Sequence, residues 1–519
     1  MKKLIYILGI CALIIVITLN LIFTAELEPS EHIIIKNNNF LYIMGVIILA
    51  ITIFVIAEII NKKLYNDDNY EKKKEIRKNI FITVIIIFAI FNIVWCILVR
   101  PPIVGDQIHA CNLAQTFYNG NLEKFLPDLT YAGIPLRDYK QAYHQQISLA
   151  FVFSLFFRII HFDGIEILRV LNIIGNIFIL LGLYKINCQL SKKYKTNKTL
   201  LLILIATFIS LTMLSTFIYG DIPSIALCLF AVYYTMQYEE TNKIKYVVIA
   251  SILTMFAYMM RMNSLIFIIA TIIYLLLNIV KGFLQRTTKE NLIKIAVAVM
   301  YIVVSIIPSS LVKNYYLNKY NMDKNKAYPN ISYFLMAMEE SWRGNGWYNE
   351  NRGEYALKNP EKAKIEYVDE VKERLTYFSQ NIGDAFNFYT EKLASMWAEN
   401  TYSAVRSNRT QDIDPIDNMN APLTFYQKAL LLLTCACCLI VLIQNRKNIS
   451  LELIFLVTIF IVGFSFHILW EAKSRYIIPY ILVLIPIASI SIEQMKIKEI
   501  MQKIVEKCKK KKTSAKENK

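Results

Sequence analysis

Residues 80–99 read IFITVIIIFAIFNIVWCILV, and Arg100-Pro101-Pro102-Ile103-Val104-Gly105-Asp106-Gln107 follow at once. An uncharged run of that length is what an α-helix needs to cross ~30 Å of hydrocarbon. Working outward, predominantly apolar runs recur at 4–23, 40–60, 165–186, 199–219, 222–238, 245–260, 264–280, 292–312, 427–444, 451–470 and 476–493. Together they make twelve expected spans. Composition agrees: 55% of residues are apolar and 19% charged, and mean hydropathy is +0.40. Soluble domains hold about 45–50% and about 25%. A soluble enzyme of three average domains, which 519 residues would otherwise suggest, is excluded.

The formal charge of +17 is distributed as a topology signal. Lys2 and Lys3 precede the first run, seven Lys or Arg lie in 61–79, and the last 26 residues carry ten lysines, Lys509 to Lys512 among them. Short basic loops mark the cytoplasmic side. Alternation then places 61–79, 187–198, 239–244, 281–291, 445–450 and the tail inside, and 100–164 and 313–426 outside. A multi-pass cell-membrane protein with both termini cytoplasmic is expected. Residues 313–425 hold 14 Lys+Arg against 16 Asp+Glu, so no basic face offers itself to nucleic acid.

The apolar stretch Ile147 to Phe157 is too short to cross, and a span there would put the lysines of 187–198 outside. Segments 107–119 and 144–160 are therefore expected as helices on the outer membrane surface. The first run lacks a small-residue cleavage site and a second run follows it, so a retained helix is expected. The fold expectation is an all-α polytopic membrane protein of about twelve transmembrane helices. It carries outer-face surface helices and a mixed extracytoplasmic domain between spans nine and ten. Its parts are a helical hairpin 1–60, a membrane module 61–312 with external loop 100–164, the domain 313–426, C-terminal spans 427–493 and a basic tail 494–519.

Cysteine spacing gives neither a disulfide framework nor a metal pattern, and Cys435-Ala436-Cys437-Cys438 reads as packing within a span. The chemistry gathers at the outer ends of spans. Asp106 and Gln107 follow 80–99, His144 opens the second surface helix, and Arg169 opens 165–186. Tyr219-Gly220-Asp221 ends 199–219, Arg261 ends 245–260, and Trp470-Glu471-Ala472-Lys473-Ser474-Arg475-Tyr476 ends 451–470. Charge is costly in the bilayer and is kept where it serves a cavity. Carboxylates suit a general base, and Arg or Lys suits a phosphate, Arg bidentately. Plainer readings stand beside these: Asp106 and Asp221 as helix caps, the 471–475 set as a solvated turn, Arg169 as a snorkelling side chain.

At these positions the chain resembles the GT-C superfamily of membrane glycosyltransferases, in its bacterial branch of protein O-mannosyltransferase and aminoarabinose transferase type. Val104-Gly105-Asp106-Gln107 is similar to the family's acid in the first large external loop. Tyr143-His144-Gln145-Gln146 stands where that family has a proline-bearing element. Arg169-Val170-Leu171-Asn172, Tyr219-Gly220-Asp221 and Arg475-Tyr476-Ile477-Ile478-Pro479 match later elements in order, and Gly346-Trp347-Tyr348-Asn349 also looks familial. The resemblance covers roughly 80–495 and leaves 4–60 outside the family core.

The resemblance implies transfer of a sugar from a polyprenyl-phosphate-linked donor to a cell-surface polymer, lipid or protein on the outer face, with inversion. It implies Asp106 as catalytic base and Asp221 as a second acid. Arg169, Lys473 and Arg475 would hold the donor phosphate, and Gln107, His144, Arg261, Glu471 and Tyr476 would orient donor or acceptor. A divalent cation is a candidate cofactor, and the sequence leaves the need for one open. Trp342, Trp347, Tyr348 and Trp397 are candidates for stacking on sugars, or else for building the core of 313–426. A transporter or flippase of lipid-linked sugars is the alternative; it calls for ionisable groups at mid-span, where these spans are nearly charge-free. A non-catalytic partner in cell-envelope assembly is a third reading.

Overall fold

The computed structural model describes residues 2–65, 70–120, 130–131, 134–135, 141–283, 286–411 and 414–492; the basic tail from Lys496 onward lies outside them. The chain is mostly helical. Eight helices are long and apolar enough to cross a membrane: Lys2–Ile22, Phe40–Tyr65, Lys73–Leu98, Glu166–Leu190, Ser264–Gly282, Thr288–Lys319, Pro415–Gln444 and Leu451–Ile468. A ninth forms if Lys198–Ala206 and Ile209–Thr216, bent by 45°, are taken together. At the bend Thr207 bonds back to the Ile203 carbonyl (2.7 Å) and accepts from the Tyr426 hydroxyl (2.6 Å). Such back-bonding bends helices. The remaining three expected spans are also helical, as Asp221–Thr241, Ile244–Met260 and Ser474–Ala488, the last two shorter than a usual span.

Both of these segments are helical, as Asp106–Asn119 and Gln145–Ile160. They pack against each other through Leu113, Ala114, Phe117, Leu149 and Phe153, all buried.

The expectation of a mixed domain at 313–426 is corrected. Among its described residues the segment is helical, with Ile331–Met336, Glu350–Lys358, Pro360–Gln380 and Ile382–Trp397 as its main elements. Residues 360–380 show why: charges fill one face while Ala363, Tyr367 and Phe378 turn inward at helical spacing. Strands lie instead between the first two spans, where Phe23–Leu27 pairs antiparallel with Ile33–Asn37. This hairpin is tied to the 313–426 segment, Ala25 N–H donating to the Ala398 carbonyl (3.1 Å) and Ile33 N–H to that of Arg343 (2.8 Å).

The hairpin is fixed from below as well. Buried Lys428 donates to the carbonyls of Phe23 (2.6 Å) and Asn20 (3.3 Å) and to Thr24 Oγ1 (2.8 Å). An ammonium at a helix C-terminus satisfies carbonyls the helix itself leaves open. The first helix thus packs into the body, against Asn420–Gln444 and Leu451–Ile468.

Candidate active site

Two glycines place the two acids. Gly105 (φ +56°) and Gly220 (φ +78°) each precede an acid that opens a helix. At Gly220 a Cβ would stand 2.8 Å from Leu149 Cδ1 and 3.3 Å from the Met260 carbonyl oxygen, so both the backbone angle and the space call for glycine. The close approach sets Asp221 beside Arg261, Oδ1 to Nε 3.1 Å. Gly105 takes the cap position of the 106–119 helix, which leaves Asp106 as the first residue inside it. The reading of Asp106 as that helix's cap therefore fails.

A small cleft lies here, lined by Asp221, Arg261, Arg475, Phe217, Ser224 and Pro479 among others. The Arg475 guanidinium sits 4.3 Å over the Phe217 ring and 5.7 Å from that of Tyr476. Arg261 sits 4.5 Å over Tyr219 and 5.8 Å from Tyr476. Arg475 Nε and Asp221 Oδ2 are buried and find no hydrogen-bond partner among the described residues. Both atoms belong to residues that line this one cleft. The Asp106 charge is felt at Tyr219, Arg261, Glu471, Lys473 and Tyr476. Asp106, Asp221, Arg261, Glu471, Lys473, Arg475 and Tyr476 thus come together from stretches 370 residues apart, 106 to 476.

Electrostatics in the 471–475 loop are tense. Burial pushes the Glu471 carboxyl up, against the pull of Lys473; Asp106 adds to the rise and Arg475 opposes it. Burial, then Arg475, pushes the Lys473 ammonium down, against Glu471. The loop is held from the 313–426 segment. Ala472 N–H donates to the Gly346 carbonyl (2.7 Å), and the Ser403 and Ser474 hydroxyls pair at 2.8 Å. Buried Lys392 clamps the carbonyls of Ala337 (2.9 Å) and Ile468 (2.8 Å). Buried Glu399 accepts from the N–H groups of Thr401 (3.0 Å) and Ser403 (2.8 Å), fixing the turn that meets Ser474.

Other expected site residues sit at one remove. Gln107 Oε1 accepts from the Ile218 N–H (2.7 Å), so it joins the Asp106 helix to the 217–220 turn. Arg169 donates to the Pro101 carbonyl (3.1 Å), bracing the turn before Asp106. No contact joins Arg169 to Arg475 or Lys473 among the described residues. Trp347 and Trp397 are core: both are buried, and Trp347 donates to Ser395 Oγ (2.8 Å). Trp342 is exposed and donates to Glu350 (2.7 Å). Tyr348 lies against Arg343, guanidinium to ring centroid 5.5 Å. Next to the 471–475 loop, Tyr333, which the motifs did not single out, stacks on Trp470 at 4.9 Å.

Glu31 was also missed. It comes from the N-terminal hairpin, outside the expected family core, yet its carboxylate pairs with Arg343, with Arg406 (2.8 Å) and with Lys473 (3.3 Å). Among the described residues no three His, Cys, Asp or Glu side chains are grouped to hold a metal ion, and no step is assigned to one.

His144 is pushed down to about 4 by burial, with Lys313 adding to the shift and Asp323 opposing it. It is neutral near pH 7 and offers no acid there. An unfolded His titrates near 6.5, so the unfolded chain takes up the proton first and stability falls as pH drops from about 6.5 toward 4. His144→Asn is expected to shrink that acid-side loss of Tm and to leave the neutral-pH rate profile unmoved. A profile that shifts near pH 7 in the variant contradicts this.

Residues 145–308 match the family described as dolichyl-phosphate-mannose-protein mannosyltransferase, roughly a third of the chain. No curated protein matches it. Among solved structures it is similar to the archaeal oligosaccharyltransferase AglB from Archaeoglobus fulgidus in complex with an inhibitory peptide and a dolichol-phosphate. Identity there is 15% and TM-score 0.42, over 79% of this chain and 50% of that one. It is similar, too, to the Archaeoglobus fulgidus oligosaccharyltransferase tethered to an acceptor peptide containing the NVT sequon, with identity 14% and TM-score 0.41, over 79% and 48%. The chain spans about half the length of these structures. The matched residues 145–308 lie within the stretch 80–495 over which the ordered motifs carry the resemblance.

Proposed function

We propose that the enzyme transfers a sugar from a polyprenyl-phosphate-linked donor to an acceptor hydroxyl at the outer membrane face, in one inverting displacement. The observation that carries this is the cleft with an unpartnered Arg475 Nε and an unpartnered Asp221 Oδ2 at the end of the spans. Lipid phosphate sits at that boundary, and a guanidinium binds it by charge-assisted bonds. The acceptor oxygen attacks the anomeric carbon while the bond from that carbon to the phosphate oxygen breaks. Asp106 takes the hydroxyl proton, and the lipid phosphate leaves with the bonding electrons, its charge met by Arg475. Asp221, held by Arg261, orients the acceptor. Lys473 adds positive potential from behind, and Arg169 acts through the Pro101 turn rather than on phosphate.

The reading includes twelve spans, cytoplasmic termini and an extracytoplasmic site, in line with the loop charges. The test is transfer by the purified chain in sealed vesicles, supplied with labelled polyprenyl-phosphate sugars and an extract of cell-surface acceptors. Label should pass from lipid to acceptor with inverted anomeric configuration. Export of intact lipid-linked sugar with no transfer would contradict the proposal.

A further inference from the structure

The cations around the cleft divide into two sets. Inside the cleft Arg261 is paired with Asp221, and Arg475 has no ion pair among the described residues. Beside it stand Lys473, Arg406 and Arg343, which share the Glu31 carboxylate. The two sets are contiguous: Lys473 and Arg406 both feel the charge of Arg475. A sugar joined to a lipid through one phosphate brings one negative charge, and one joined through a diphosphate brings two. The cleft holds one guanidinium without an ion pair among the described residues, in the field of the Glu471 carboxyl. A second phosphate would need the cations that Glu31 already occupies.

We propose that Glu31 is a specificity-determining residue: its fixed carboxylate stands in the place of a second phosphate and limits the donor to one. The inference rests on the lipid-phosphate reading of the cleft.

Glu31 is built to stay put. It holds φ +75°, a backbone region that non-glycine residues seldom adopt unless their surroundings enforce it. Its loop is closed by Glu31 N–H to the Glu28 carbonyl (3.0 Å) and Glu28 N–H to that of His32 (2.8 Å), and the Arg406 Nε–H donates to the Pro29 carbonyl (3.1 Å). Positive potential still dominates around it. Burial, with Arg475, Arg343 and Arg409, pushes Arg406 down to about 10 despite its pairing with Glu31. Removing the carboxylate therefore leaves Lys473 and Arg406 without that counter-charge, while Arg343 keeps Glu350.

The test is direct binding to the purified full chain in detergent, with two sugar-free probes. Farnesyl methyl phosphate carries one negative charge near neutral pH and farnesyl methyl diphosphate carries two. The wild type should bind the monophosphate at least as tightly as the diphosphate. Glu31→Gln should gain tenfold or more for the diphosphate while the monophosphate changes less than threefold, and Glu31→Asp should keep the wild-type ratio. An unchanged ratio in Glu31→Gln, or loss of both probes together, overturns the inference and leaves Glu31 a structural support. So does a wild type that prefers the diphosphate tenfold, a result that needs no variant to fold. A wild type that binds neither probe overturns the lipid-phosphate reading as well.

Discussion

Asp106→Asn is expected to lower the rate of sugar transfer by ~10²-fold or more while expression and Tm stay within error, because an amide cannot accept the proton of an attacking hydroxyl. Size and polarity are conserved in this change. The helix loses no cap, since the cap position belongs to Gly105, and an Asn in the first turn costs the helix at most a few tenths of a kcal/mol in lost dipole interaction. A structural role therefore predicts near-normal turnover, and a general base predicts its loss. Asp221→Asn should do less damage, since Arg261 keeps a hydrogen-bonding partner there. Donor KM should move little in Asp106→Asn, because the proton passes only in the transition state.

Arg475→Ala should weaken donor binding by about 2–4 kcal/mol, or about 30- to 1,000-fold, the cost of an unmet buried phosphate charge. Its Nε is already buried without a partner and no acid is paired with it among the described residues, so the empty enzyme loses little stability. Arg475→Lys keeps the charge and loses the planar fork, and should fall between. The effect should appear in KM, measured with the polyprenyl-phosphate sugar, before it appears in kcat. A normal KM in Arg475→Ala removes the phosphate assignment.

Much of this arrangement was legible in the chain. Apolar runs announce helices at every expected position, and Asp221, Arg261 and Arg475, each at the end of such a run, line one cleft. Local pattern carries that information, because a span ends where its hydrophobic run ends. Glu31 was not legible. It lies in a polar spacer after the first run, and its importance depends on three cations at 343, 406 and 473. Contacts of that separation leave no periodic trace. The hairpin beneath it was hidden for the same reason, its five-residue strands reading as the fringes of two spans. The character of 313–426 was misjudged because charge balance says little about secondary structure, whereas the spacing of Ala363, Tyr367 and Phe378 says helix. Trp347 and Trp397 looked like sugar platforms by residue type, but burial decides, and both are core.

Density for a bound lipid phosphate in the full-length protein tests the central claim most directly. Embedded in nanodiscs with a polyprenyl-phosphate sugar and imaged by electron microscopy, the Asp106→Asn variant should trap the donor. A phosphate oxygen should then lie within hydrogen-bond distance of the Arg475 guanidinium, with residue 106 facing the anomeric carbon on the side away from the phosphate. A donor phosphate bound elsewhere, with the cleft between Asp221 and Arg475 empty, would contradict it.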